Sequence, residues 1–219
     1  MFKLMGIAFY PPQYNKKEIS FQILEYSLIT RKSGMLAIED KVNAAKHPYI
    51  KKIFQAGIDG ADANALEELF MLEIEGINNR HNENTGFFQK LGGLSPTMGI
   101  IGTVMGLIST MGSASENGDA DVLIYNISIA FLATLWGIAM ANLVWIPIAD
   151  KLQFVHNEEV EVLELIFEGA KSVVSGESTL VISSKLSSML PFSAQMQFNR
   201  EAKSFIESRR QTLQQTKTT

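Results

Sequence analysis

Two uncharged stretches constrain this chain more than any other feature. Residues 91–115, LGGLSPTMGIIGTVMGLISTMGSAS, hold no charge, and neither do residues 122–149, VLIYNISIAFLATLWGIAMANLVWIPIA. At about 1.5 Å of helical rise per residue, each is long enough to cross a bilayer, which takes roughly 20 apolar residues. Buried helices of a soluble core are usually shorter and carry a polar stripe. The spans therefore read as a transmembrane hairpin.

The basic residues orient it. Of 19 lysines and arginines, eleven lie at or before Lys90 and eight after Asp150, while the connection SENGDAD has none and carries Glu116, Asp119 and Asp121. Lysine and arginine collect on the cytoplasmic side, so the hairpin tip points outward and both flanking arms are cytoplasmic. The fold expected is all-α: an integral membrane protein with a two-helix transmembrane hairpin and amphipathic cytoplasmic helices. Its regions are a helical arm over 1–90, the hairpin over 91–149 with a short outer loop at 113–121, and C-terminal helices with a disordered tail over 150–219.

Within the arms, helical periodicity is read from Lys16 to Ala45, with a bend at Gly34. A short helix follows Pro48 and closes at Gly57. Asp62 is the expected N-cap of a helix whose Leu66, Phe70, Ile74 and Ile77 form one apolar stripe and which runs directly into the first span. Leu152, Val155, Leu163, Ile166 and Ala170 mark the helix after the second span. SGES and Pro191 break the remainder, and the terminal QTLQQTKTT is expected to be disordered. The N-terminal MFKLMGIAF is too short to span and lacks a signal-peptide pattern, so it reads as the end of a longer apolar segment or as an amphipathic start on the membrane surface.

Several chemistries are disfavoured. There is no cysteine, and His47, His81 and His156 have no metal-ligand spacing, so neither thiol chemistry nor a metal centre is expected. A net charge of −4 argues against nucleic acid as a partner. GGLSPTMG lacks the lysine and strand context of a phosphate loop. No nucleophile is paired with a base, and no enzyme activity or cofactor is expected.

The spans carry a different pattern. Ser95, Gly99, Gly102, Gly106, Ser109 and Ser113 recur at helical spacing, as do Ala130, Thr134, Gly137 and Ala141 in the second span. Small faces let helix backbones approach closely in lipid. Two such faces imply an oligomer or further helices. Thr103 sits beside the first stripe and Thr134 within the second; both are expected to face a partner helix at an ion site. Pro96 and Pro147, near the cytoplasmic ends, each free a backbone carbonyl and are expected to act as bend points. Neither span holds Asp, Glu, His, Lys or Arg, one of which an ion pathway normally needs, so another chain would supply it.

LSPTMGIIGTVMGLISTM followed by LATLWGIAMANLVWIPIADKL resembles the third and fourth membrane helices of the flagellar motor stator A subunits, the MotA/PomA family within the MotA/TolQ/ExbB proton channel superfamily. RKSGMLAIED resembles that family's rotor-facing cytoplasmic segment, and it favours the stator over TolQ/ExbB-type subunits of envelope machines, which the first-span motif would also suit. The resemblance implies a homo-oligomeric ring in the bacterial inner membrane around B subunits, each with a membrane aspartate, conducting H+ or Na+ and turning the rotor switch protein FliG. It places Arg31 and Glu39, with Lys32 and Asp40 beside them, in the rotor-facing patch near residues 26–45. On one continuous helix, Arg31 and Glu39 would lie about 12 Å apart along the axis and about 80° around it. The family has four membrane helices and this chain carries the last two. It therefore reads as a fragment, a chain begun internally at Met1, or a protein without the outer helices. A non-conducting membrane scaffold is the reading from a different class.

Overall fold

A computed structural model describes residues 2–117 and 120–215, with side chains described over 4–112 and 120–209. Ser113, Glu116 and Asp119 of the expected outer loop, and the last four residues of the expected disordered tail, lie outside the described side chains. Among the described residues every element is helical, with no strand. In chain order these are α1 (Phe2–Phe9), α2 (Lys16–Ser33), a 3-10 turn (Met35–Ile38), α3 (Glu39–Asn43), α4 (Pro48–Ile58), α5 (Ala63–Asn117) and α6 (Ala120–Met140). A π-helical turn (Ala141–Trp145), α7 (Ile146–Val174), α8 (Thr179–Ser188) and α9 (Phe192–Gln215) follow.

The chain divides into two compact units, residues 1–12 with 77–157, and residues 13–76 with 158–219. α5 and α7 each run without a break through positions 90 and 150, where the spans meet the arms. Asp62 caps α5 as expected, its carboxylate accepting from the Ala65 N–H at 2.8 Å. From there α5 continues into the first span as one helix of 55 residues.

The first unit holds both long apolar stretches. Only 11% of the most apolar window in each is buried, whereas a soluble core helix would be mostly covered. Met98, Met105, Ile108, Leu135 and Trp136 all stand more than 60% exposed. Such faces need lipid or other apolar helices around them, and this is a membrane protein. At one end of the pair, Phe88, Ile148, Ala149 and Leu152 form a small core with Ala8 of α1, flanked by Leu4, Met5, Ile7, Leu91 and Trp145. The N-terminal apolar run is thus a helix docked on the hairpin's own base.

The second unit has a conventional core. Ile23, Leu24, Tyr26, Ile38, Ile50, Phe54, Leu165, Ile166, Ile182 and Phe198 are fully buried or nearly so. Tyr26 stacks edge-on against Phe54 and donates its hydroxyl to the Lys41 carbonyl at 3.0 Å. Phe70 lies flat on Phe167 at 4.3 Å, which uses the apolar stripe at the start of α5. Two local expectations are corrected here. Gly57 does not close α4; it lies inside the helix, where a Cβ would meet Met35 and Val174 side-chain atoms at 2.8 Å, and the left-handed residue after the helix is Gly60, φ +98°. The polar C-terminus is helical through Gln215, where disorder was expected from residue 211 on.

The α7–α8 turn is held by Lys185, whose Nζ lies 2.8 Å from Glu177 and 2.9 Å from Glu168. The hydrogen bond from Lys185 keeps the Glu177 carboxyl below the usual carboxylate range, and its bonds to Glu177 and Glu168 raise Lys185. Glu177 therefore contributes stability above its ordinary value of 4.5, lost as acid protonates it. Lys185 contributes below its ordinary 10.5, lost as base deprotonates it. Because these groups are about a third exposed, solvent screens them. Lys185→Met should lower stability by about 1 kcal/mol or less between those limits. In thermal unfolding across pH, the difference from the parent chain should shrink at both extremes.

Candidate functional site

The two spans meet through their small residues. At Gly137 a Cβ would stand 2.6 Å from the Ser95 carbonyl oxygen and 3.0 Å from Gly99 Cα. At Gly99 it would stand 2.9 Å from the Ala133 carbonyl oxygen and 3.0 Å from Thr134 Cα. Gly102 faces the Ala133 methyl and Gly106 the Ala130 methyl, at 3.0 and 2.8 Å from the absent Cβ. Ala130 and Ala141 are buried. The two stripes therefore close on each other within the hairpin, where the sequence alone assigned them to other helices. Matching spacing on two helices joined by a very short connection makes them antiparallel neighbours. Ala133 belongs to this contact and was missed, although it sits four residues from Gly137 on the same face.

Thr103 and Thr134 lie in the middle of that contact. Thr103 Oγ1 donates toward the Gly99 and Ala130 carbonyls at 3.1 and 3.0 Å, Thr134 Oγ1 toward the Gly99 carbonyl at 3.2 Å, and the two hydroxyls hydrogen-bond each other. Two protons are shared among more acceptors than they can serve at once, so the donors can exchange partners without breaking the helices. Both residues are half-buried. Thr110, also missed from sequence, is buried about two helical turns further on and donates to the Gly106 carbonyl at 2.8 Å.

The prolines sit toward the same end of the hairpin, with Pro147 nearer that end than Pro96. Pro96 is inside α5 and leaves the Gly92 carbonyl without its usual helical donor; Pro147 does the same to Leu143. Gly92 is where Ile146, the neighbour of Pro147, packs: a Cβ there would meet Ile146 Cγ1 at 2.8 Å. Just before Pro147 the helix widens to a π turn, with the Ile146 N–H reaching back to the Ala141 carbonyl. Such turns commonly relieve a lost i→i−4 bond.

The sequence pattern of the MotA/TolQ/ExbB proton channel family matches residues 41–165. The chain belongs to that family. It is 31% identical over 186 residues to motility protein A of Bacillus subtilis, covering 85% of this chain and 68% of that protein. It is equally 31% identical to the chemotaxis protein PomA of Vibrio alginolyticus over 189 residues, 86% of this chain and 72% of PomA. Among solved structures, the flagellar MotAB stator complex from Bacillus subtilis superposes with a TM-score of 0.81 at 30% identity, over 90% of this chain and 76% of that one. Campylobacter jejuni MotAB gives the same TM-score at 26% identity, over 87% and 74%. The hairpin with its helical arms is thus a fold this chain shares with the stator chains over those spans.

The segment RKSGMLAIED is not one helix. α2 ends at Ser33, Gly34 adopts φ +85° and ψ 171°, and a 3-10 turn leads into α3 at Glu39. This corrects the geometry expected from continuous helix: Arg31 and Lys32 close one element and Glu39 and Asp40 open another. Only glycine enters that backbone region cheaply. All four charged residues are exposed. Arg31 Nη1 reaches the Glu177 carbonyl at 3.3 Å. Between the charged pairs Leu36 stands 71% exposed, an apolar side chain that charge patterning alone could not pick out.

One polar pair escaped the sequence altogether. His81 of α5 and His156 of α7 bring their Nδ1 atoms within 2.9 Å, with ring planes at 79°. They are 75 residues apart in the chain, and no spacing rule connects them.

Proposed function

We propose that the chain works as the A subunit of a flagellar stator, in the bacterial inner membrane with its hairpin tip outside and both arms in the cytoplasm. In this reading it lines an ion path with a single-span B subunit, whose membrane aspartate carries H+ or Na+. The observation that carries it is the pair of spans that hold no Asp, Glu, His, Lys or Arg but pair two hydroxyls, Thr103 and Thr134, between them. Such spans can pass an ion along but cannot bind and release a proton by themselves. The likeness to the MotAB complexes over 90% of the chain supports a B-type partner and a homo-oligomeric assembly. Ion passage would be felt at Pro96 and Pro147, where each span has lost a backbone hydrogen bond, and relayed along α5 and α7. Arg31, Lys32, Glu39 and Asp40 would meet the rotor switch protein.

The test is co-expression with a B subunit in a cell lacking its own A subunit, scoring complex recovery and swimming separately. Neutralising Arg31 or Glu39 alone should slow swimming by less than about twofold, since exposed ion pairs are each worth little. Reversing both should abolish swimming while the complex with the B subunit is still recovered. Opposite reversals on the rotor switch protein should restore movement. Failure of every such rescue, with rotor recruitment undisturbed, would make the patch mere surface. Failure to recover any complex would sink the stator reading itself.

A further inference from the structure

His47 stands immediately before α4, and its side chain caps that helix. Pro48 follows at the first helical position and has no N–H, so the Tyr49 N–H is the first backbone donor needing a partner. His47 Nδ1 accepts it at 3.2 Å. A ring nitrogen accepts only through a bare lone pair. The neutral ring offers one when its proton is on Nε2, whereas an imidazolium carries protons on both nitrogens. Charging the ring therefore sets two N–H groups against each other. It also puts a positive charge at a helix N-terminus, where the helix dipole opposes it. The usual caps, serine, asparagine and aspartate, have no such limit near neutral pH. We propose that His47 is an acid-labile cap, holding the first turn of α4 while its ring is neutral and releasing it when the ring takes up a proton.

The cap sits where three segments of the second unit meet. Tyr14, in the link before α2, packs its ring 5.9 Å from that of His47. Glu159 of α7 acts on His47, and Glu158 and Glu159 both act on Tyr14. Lys46, the adjoining cation, is exposed and lies 3.1 Å from Glu18. Burial holds the half-buried His47 below its ordinary 6.5, against the pull of Glu159 toward the charged form. A histidine lowered in the folded state contributes stability above its ordinary value and loses it as pH falls. Glu159 can move the pH at which the ring charges, but no carboxylate restores a lone pair to a protonated Nδ1. Tyr49, Ile50, Ile53 and Phe54 stay buried, so release is confined to the first turn rather than to the whole helix. The cap stands whether or not the chain drives a rotor. In a stator it would make the arm's packing answer to cytoplasmic acidity.

Hydrogen exchange at the Tyr49 amide tests it, on the full chain in lipid vesicles and corrected for the pH dependence of exchange itself. A series from pH 8 to pH 5 spans the range in which histidine changes charge. His47→Asn supplies a cap that does not titrate, and His47→Ala supplies none. At pH 8 the parent should match the asparagine variant, and the alanine variant should exchange about fivefold faster, as losing about 1 kcal/mol of capping implies. At pH 5 the parent should approach the alanine variant while the asparagine variant keeps its protection. A parent that tracks the asparagine variant at both ends overturns the cap, as does an alanine variant protected like the parent at pH 8. Nitrogen-15 titration of the histidine-labelled parent gives a second readout, with the His47 signal assigned by its loss in the asparagine variant. A midpoint below 6.5 is expected, and one at or above 6.5 overturns the proposal.

Discussion

Gly137→Val should cost the chain its membrane hairpin. The first atom of any side chain at this position would sit 2.6 Å from the Ser95 carbonyl oxygen, with Gly99 Cα and N at 3.0 and 3.2 Å. All three obstacles are backbone, so no rotamer change clears them; the spans must part. Parting them strips the Thr103–Thr134 pair and the Gly102 and Gly106 contacts with it, because these share the same interface. Overpacking a close helix contact costs about 1–3 kcal/mol even when neighbours can move, and here they cannot. Gly137→Ala should already reduce assembled protein severalfold, and Val should abolish it. Gly112, where a Cβ would meet nothing within 4 Å, is the control: Gly112→Ala should assemble normally. The measurement is the yield of complex recovered from membranes against total chain. Equal yields for Gly137→Val and the parent would mean that the spans do not pack this closely.

What the sequence made legible follows the range of the interactions that set it. Helical periodicity is local, so the unbroken path from the Asp62 cap through the first span could be read directly, as could the buried stripe of α7. The small-residue faces were legible as faces, yet what they meet was not. Spacing states that a close neighbour exists, and only the fold reveals that each stripe is the other's neighbour. Gly34 was visible as a disturbance, but a glycine inside a helix and a glycine ending one look alike until φ is known. The same ambiguity hid that Gly57 lies inside α4, which ends at Ile58, and that Gly60 is the left-handed residue beyond it. His81 and His156 were the least legible, since their meeting depends on two helices lying in register far below the spans. A pair joined only through tertiary structure leaves no trace in local composition.

The hydroxyl pair carries the second large effect. Thr134→Val preserves shape and removes one donor and one acceptor; Thr103 then still has the Gly99 and Ala130 carbonyls within 3.1 Å. Interhelical hydrogen bonds of this type average about 0.6 kcal/mol in membranes. The single variant should therefore assemble like the parent and swim more slowly only when the ion gradient is limiting. Replacing both threonines with valine is different. The hairpin keeps its glycine contacts, and the loss of stability should stay near 1 kcal/mol, but the interior of the spans no longer offers any hydroxyl at this level. If the pair passes an ion toward the B subunit, torque should fall well over tenfold while complex yield stays within about fivefold, the change that roughly 1 kcal/mol produces. Repeating the assay across sodium concentrations, and with a protonophore, identifies the ion: a parent that slows as sodium is withdrawn is coordinating Na+, and one that stops with the protonophore alone is moving H+. Full-speed swimming of the double variant under a limiting gradient would leave these threonines as packing groups and put the ion path elsewhere.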